Sequence, residues 1–158
     1  MAREIERKFL LTSEVWRPLV TQTISIRQGY LSANAKATVR VRLLGSDRAV
    51  LTLKGASQGI SRAEFEYPIP FADALELYAM AEPHTISKQR HLVPFGGLTW
   101  EVDVFDGRHQ GLVVAEVELE HADQQVPLPS WVGREVSDDD RYFNASLSRA
   151  AAPPQEAA

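Results

Sequence analysis

Like charges recur in pairs two residues apart along this chain: Glu4/Glu6, Arg40/Arg42, Glu64/Glu66, Lys88/Arg90, Glu101/Asp103 and Glu116/Glu118. Each pair lies where polar and apolar residues alternate, so in a β-strand both charges of a pair project from one face. Like charges at neighbouring same-face positions are unfavourable, and a sheet tuned only for stability would not repeat them. The repetition makes sense if these faces converge on one wet cavity. There, cations from several strands would clamp a polyanion, and carboxylates would hold the metal that neutralises it. The alternative is an ordinary sheet with a salt-bridged surface.

The first strand, Glu4 to Leu11, carries the chemistry in miniature. Glu4, Glu6 and Lys8 share one face, and Ile5, Arg7 and Phe9 the other. Two adjacent carboxylates repel unless a cation sits between them. A hard divalent ion takes carboxylate oxygens and keeps waters that a phosphate can displace. Lys8 offers a positive charge to a phosphate oxygen beside it.

Composition narrows the field. The chain has 158 residues, a formal charge of -4 and no cysteine. That length suits one domain with a real core. The charge argues against a dedicated nucleic-acid binder, and the lack of cysteine removes disulfides, thiolate metal sites and cysteine nucleophiles. No apolar run approaches membrane-spanning length, and charges stand where a signal peptide would be apolar. The expectation is a cytoplasmic protein with no nucleic-acid or membrane partner, and with room for a homodimer.

In chain order, strands are expected over Glu4 to Leu11, Thr23 to Leu31, Thr38 to Leu43, Ala49 to Lys54, Arg62 to Tyr67, Thr85 to Val93, Leu98 to Phe105 and Leu112 to Glu120. Turn signals such as Gly45-Ser46-Asp47 and Pro94-Phe95-Gly96-Gly97 make hairpins of several neighbours. Thr12 to Pro18 reads as a single capped helical turn, and Phe71 to Met80 as a short amphipathic helix. A second helix opens at Ser137, with acids in its first turn, and runs through Tyr142, Asn144 and Leu147. The fold class is α+β, mainly β: an antiparallel barrel or sandwich of about eight strands. A charged interior turns the apolar faces outward, with both helices covering them. Residues 1–149 form the domain and 150–158 a disordered Ala/Pro tail. His84, His91, His109 and His121 lack metal-ligand spacing and read as surface residues.

Taken in order, these motifs resemble the CYTH domain, the triphosphate tunnel metalloenzyme family. Glu4, Glu6 and Lys8 match its leading Glu-x-Glu-x-Lys. Arg40 and Arg42 match its Arg-x-Arg strand, Lys54 closes the Thr-Leu-Lys that follows, and Arg62, Glu64 and Glu66 match its Arg-x-Glu-x-Glu. Lys88/Arg90, the Trp100 to Phe105 strand, the Glu116 to Glu120 strand and the Gly133 to Leu147 segment fit later motifs. The resemblance spans nearly the whole chain.

It implies an eight-stranded antiparallel closed barrel, a tunnel that binds a triphosphate and acts on it with Mg²⁺ or Mn²⁺. Hydrolysis of inorganic triphosphate to diphosphate and phosphate is the favoured expectation. A thiamine triphosphatase, a class IV adenylate cyclase and a non-catalytic polyphosphate or nucleotide binder are the alternatives. On this reading Lys8, Arg40, Arg42, Lys54, Lys88 and Arg90 bind the phosphate chain. Glu4, Glu6, Glu116 and Glu118 hold metal, with Asp103 contributing. Glu64 or Tyr30 is the base, the latter if an ammonium such as Lys88 lies beside it, and Lys8 and Lys88 act at the reacting phosphoryl group. Arg62, Glu66, Glu101 and Glu120 are left as supporting ion pairs.

Overall fold

The computed structural model describes residues 3–155. Strands β1 (Arg3–Leu11), β2 (Gln22–Ala33), β3 (Ala37–Leu44), β4 (Arg48–Gly55) and β5 (Ser61–Pro68) precede helix α1 (Phe71–Ala81). Strands β6 (Thr85–Phe95), β7 (Leu98–Phe105), β8 (Val113–Glu118) and β9 (Val132–Glu135) follow, then helix α2 (Asn144–Arg149). Hydrogen bonding runs in the order β5-β4-β3-β2-β6-β7-β8-β1, and β1 returns to β5 through Arg3↔Ala63, Glu4↔Arg62 and Ile5↔Ser61. Among the described residues the ring closes as eight antiparallel strands, so none of the eight is left as a sheet edge.

Residues paired across an antiparallel ladder share a face, so the register follows the charges around the ring. Lys8 pairs with Glu116, Glu6 with Glu118 and Glu101 with Glu116. Arg90 pairs with Asp103, Gln28 with Arg42, Tyr30 with Arg40, Thr38 with Lys54, and Lys54 with Glu64. Every same-sign pair of the sequence therefore lies on the inner face.

The outer faces carry the apolar core. Phe9, Trp100, Val102, Ala115 and Val117 pack with Trp16, Leu119 and Trp131, from segments that cross outside β1, β7 and β8. On the other side α1 lays Phe71, Ala74, Leu77 and Tyr78 over Val41, Leu43, Ala49 and Leu51. Gly29 lets it come this close: a Cβ there would stand 2.6 Å from the Ala81 Cβ.

Some expectations need correction. Ile24 and Ile26 face inward, since they pair with Arg90 and Lys88; the polar Thr23, Ser25 and Arg27 face out, and the Arg27 guanidinium stacks on the Tyr78 ring of α1. The stretch around Thr12 to Pro18 makes only a 3₁₀ turn, Arg17–Leu19, with Trp16 driven into the core. A short ninth strand, β9, adds to β1 through Phe9↔Glu135 and Leu11↔Val132. Ser137 does not begin a helix. Its hydroxyl accepts from the Lys8 amide at 2.9 Å and donates to Glu135 at 2.6 Å, so it extends the contact with β1. Asp139 caps a 3₁₀ turn, Asp140–Tyr142, and α2 starts only at Asn144.

The largest correction concerns α2, expected on the outside. Tyr142 and Leu147 pack instead with Leu10, Ile86, Phe105 and Val114. Those four continue the inner rows of Lys8, Lys88, Asp103 and Glu116, so the C-terminal segment fills one side of a barrel end. His109, expected at the surface, is buried there, with its Nε2 2.6 Å from the Leu147 carbonyl. Arg108 beside it donates to the carbonyls of Thr85, Leu147, Ser148 and Ala150. Of the expected tail, residues 150–155 lie along this end with Pro153 and Pro154 half-buried; residues 156–158 are outside those described.

Candidate active site

Ring order decides what faces what inside the barrel. In a closed ring of eight, β3 lies across from β8, β6 from β5, and β4 from β7. Arg40 and Arg42 thus stand across the ring from Glu116 and Glu118, Arg90 from Glu64 and Glu66, and Lys54 from Glu101. Between these walls lie two adjoining cavities, about 590 Å³ and about 220 Å³, which share Glu4, Glu6, Arg40, Lys54 and Asn144. Lys8, Tyr30 and Arg62 line the larger. Arg42, Arg90, Glu64, Glu66, Glu101, Glu116 and Glu118 line the smaller.

The cations are placed firmly. Lys8 Nζ donates to the Tyr142 carbonyl at 3.0 Å and lies 3.4 Å from Glu116. Burial pulls its ammonium down, but Glu116, Glu6 and Tyr30 outweigh this and hold it above the ordinary lysine range. Arg40 donates to Thr52 at 3.3 Å, while its buried Nε has no hydrogen-bond partner among the described residues. Arg42 donates to Gln28 Oε1 at 2.8 Å. Burial, with Arg40 and Arg90 close by, lowers its guanidinium to about 9. Lys54 bridges Glu4 at 2.8 Å and Glu64 at 3.3 Å.

Lys88 and Asp103 line neither cavity. They sit in the wall behind it, where Asp103 is bound by Arg90 through both oxygens and by Lys88 through one. Asp103, expected to contribute to the metal, has both oxygens engaged by two cations here, which hold it below the ordinary aspartate range against the opposing effect of burial. Lys88 is lowered to about 7, first by burial and then by Arg90 and Arg42, against the pull of Asp103. Tyr30 does not gain Lys88 as the ammonium beside it. Its hydroxyl accepts from Gln28 Nε2 at 3.0 Å, and the charges it interacts with are Lys8 and Arg42.

The carboxylates divide by their neighbours. Glu116 lies among Lys8, Arg90, Lys88 and Lys54, which hold it well below the ordinary range although burial pushes the other way. Glu6 is pushed well above it, by burial and then by repulsion from Glu116 and Glu4. Glu64 and Glu118 are raised, in each case first by burial and then by Glu4. Glu118 is solvent-exposed, at the rim of the smaller cavity.

Among the described residues, no three carboxylates or histidines converge as they stand into a cage for an ion. The donor chemistry nevertheless fits a divalent cation. Glu4 Oε2 is buried without a hydrogen-bond partner, the Lys54 ammonium being near but poorly aligned. Burial, then the nearby Glu116 and Glu4 carboxylates, push the Glu6 carboxyl well above the ordinary glutamate range, a crowding that a cation between them would relieve. Hard oxygen donors with surplus negative charge are what Mg²⁺ and Mn²⁺ take.

Three side chains of this site have no role assigned from the sequence. Alternation puts Thr52 on the face of Lys54, opposite Leu51 and Leu53, and the same counting puts Gln28 on the face of Tyr30. Asn144, which accepts from Lys88 Nζ at 3.0 Å, arrives from a distant helix and left no such signal.

Known proteins share the sequence and the fold of this chain. The chain is 43% identical to an inorganic triphosphatase of Acetivibrio thermocellus over 148 residues, covering 93% of this chain and 94% of that one. It is 36% identical to an inorganic triphosphatase of Nitrosomonas europaea over 150 residues, 92% of this chain and 96% of that one. A solved inorganic triphosphatase structure superposes with a TM-score of 0.68 at 31% identity, covering 96% of this chain and 98% of that one. The CYTH domain model matches residues 2–149, and the chain belongs to the CYTH domain family.

Proposed function

We propose that this chain hydrolyses inorganic triphosphate to diphosphate and phosphate inside the barrel, with Mg²⁺ or Mn²⁺. The observation that carries the reading is the pair of opposed walls, β3 arginines facing β8 carboxylates across a cavity lined by charged side chains, with the Arg40 Nε donor unpartnered among the described residues. The triphosphatase relatives support it.

Phosphoryl transfer asks a protein for positioning and charge neutralisation more than covalent chemistry. Arg40, Arg42 and Lys54 grip the phosphate chain from β3 and β4, Lys8 from β1 and Arg90 from β6. The planar guanidinium fork suits two phosphate oxygens at once. Glu4, Glu6, Glu116 and Glu118 would hold the metal. When bound, it neutralises phosphate oxygens and steadies the leaving oxygen.

Water attacks the terminal phosphorus, the bridging P–O bond breaks, and its electron pair leaves with diphosphate. Glu64 takes the water's proton, since its raised proton affinity makes it a better base than an ordinary glutamate. Tyr30, whose oxygen already accepts from Gln28, has its own proton left to donate to a phosphate oxygen. Asp103 keeps Lys88 and Arg90 in place from behind the wall.

Phosphate release from inorganic triphosphate, ATP and thiamine triphosphate, each with Mg²⁺, Mn²⁺ or EDTA, tests this. Fastest turnover of inorganic triphosphate, lost in EDTA, supports it. Preference for either organic triphosphate, cyclic AMP as product, or binding without turnover sinks it.

A further inference from the structure

We propose that Asn144 is a substrate-contacting residue, whose side-chain amide donates to a phosphate oxygen where the two cavities join. The inference rests on the reading that phosphates occupy this channel. Lys88 Nζ, set against the Asp103 carboxylate at 2.7 Å, donates to the Asn144 oxygen at 3.0 Å. The amide nitrogen is thereby turned the other way. Asn144 lines both cavities, and its nitrogen has no partner among the described residues.

Lys88 itself is fully buried and lines neither cavity, with Asp103, Asn144 and the Phe105 ring around its ammonium. A phosphate reaching this wall therefore meets Asn144 first. The ammonium on Oδ1 polarises the amide and strengthens Nδ2 as a donor. The position of Asn144 is fixed from behind: Leu147, one turn on, is buried, and its carbonyl is held by Arg108 and His109. An amide is the informative choice here. A carboxylate would serve Lys88 at least as well but would repel the phosphate.

That contrast gives the test. Wild type, Asn144→Asp and Asn144→Ala are compared for kcat and KM on inorganic triphosphate, with folding checked by circular dichroism. Contact with substrate predicts that Asn144→Asp loses more kcat/KM than Asn144→Ala, roughly 10²- to 10³-fold against roughly 10-fold. If Asn144 only holds Lys88, the aspartate variant retains more activity than the alanine variant, and the proposal is overturned. Should the aspartate variant not fold, calorimetric binding of inorganic triphosphate to Asn144→Ala without metal decides. A tenfold or greater loss of affinity supports the contact, and unchanged affinity overturns it. Wild type without turnover would refute the triphosphatase reading separately, since that calorimetric comparison still reports on Asn144.

Discussion

Arg90 binds both oxygens of Asp103, Nε to Oδ1 at 2.8 Å and Nη2 to Oδ2 at 2.9 Å, and the Lys88 ammonium shares Oδ2 at 2.7 Å. One buried carboxylate thus joins two buried cations, of which Arg90 also reaches Glu101 and Glu116. Asp103→Asn should destabilise the fold by about 3–5 kcal/mol, because it strands those charges in the wall. Urea unfolding in EDTA measures this. A metal-ligand role would instead weaken metal dependence and leave metal-free stability nearly unchanged.

Glu118 tests the metal assignment at little cost to the fold. Its side chain is exposed at the cavity rim, so Glu118→Ala should shift stability by no more than about 0.5 kcal/mol. Metal-dependent turnover should nearly vanish. Activity measured against Mg²⁺ concentration checks both the loss and any rescue at high metal.

Arg40 tests the basic wall. Arg40→Ala should lower kcat/KM by roughly 10²-fold, as removal of one transition-state donor does. Unchanged kinetics would mean that the guanidinium does not reach the phosphates.

Glu6 makes a prediction about pH. Its folded-state proton affinity is raised, by burial and then by Glu116 and Glu4. The stability it contributes is fully present below the ordinary glutamate range and is lost as pH rises through the raised folded value. Glu6→Gln is neutral throughout. In EDTA its urea midpoint should match wild type near pH 4 and exceed it increasingly above that. Equal midpoints at every pH would contradict the shift. Added Mg²⁺ should stabilise wild type far more than the variant at alkaline pH.

The barrel was legible because alternation is a local signal, and the charges ride on it. Counting by twos from Glu4 or Arg40 finds the inner face without knowing the partner strand. Roles were harder to read. Asp103 and Glu116 look alike in sequence, yet register sets Asp103 beside Arg90, where Lys88 also reaches it, and leaves Glu116 at the cavity. Ile24 and Ile26 broke the rule of apolar-out, because the barrel's inner wall includes apolar surface beside Lys88. The C-terminal segment was misplaced for a related reason. Leu147 and Tyr142 show only that a face is buried, and nothing local says that it is buried inside a barrel end.

Crystals soaked with Mn²⁺ and inorganic triphosphate test the central claim most directly, through the anomalous signal of manganese. The account predicts manganese inside the barrel against Glu4, Glu6, Glu116 and Glu118, with phosphates on Arg40 and Arg42. Manganese and triphosphate bound only on the outer surface, with the interior empty of both, would contradict it.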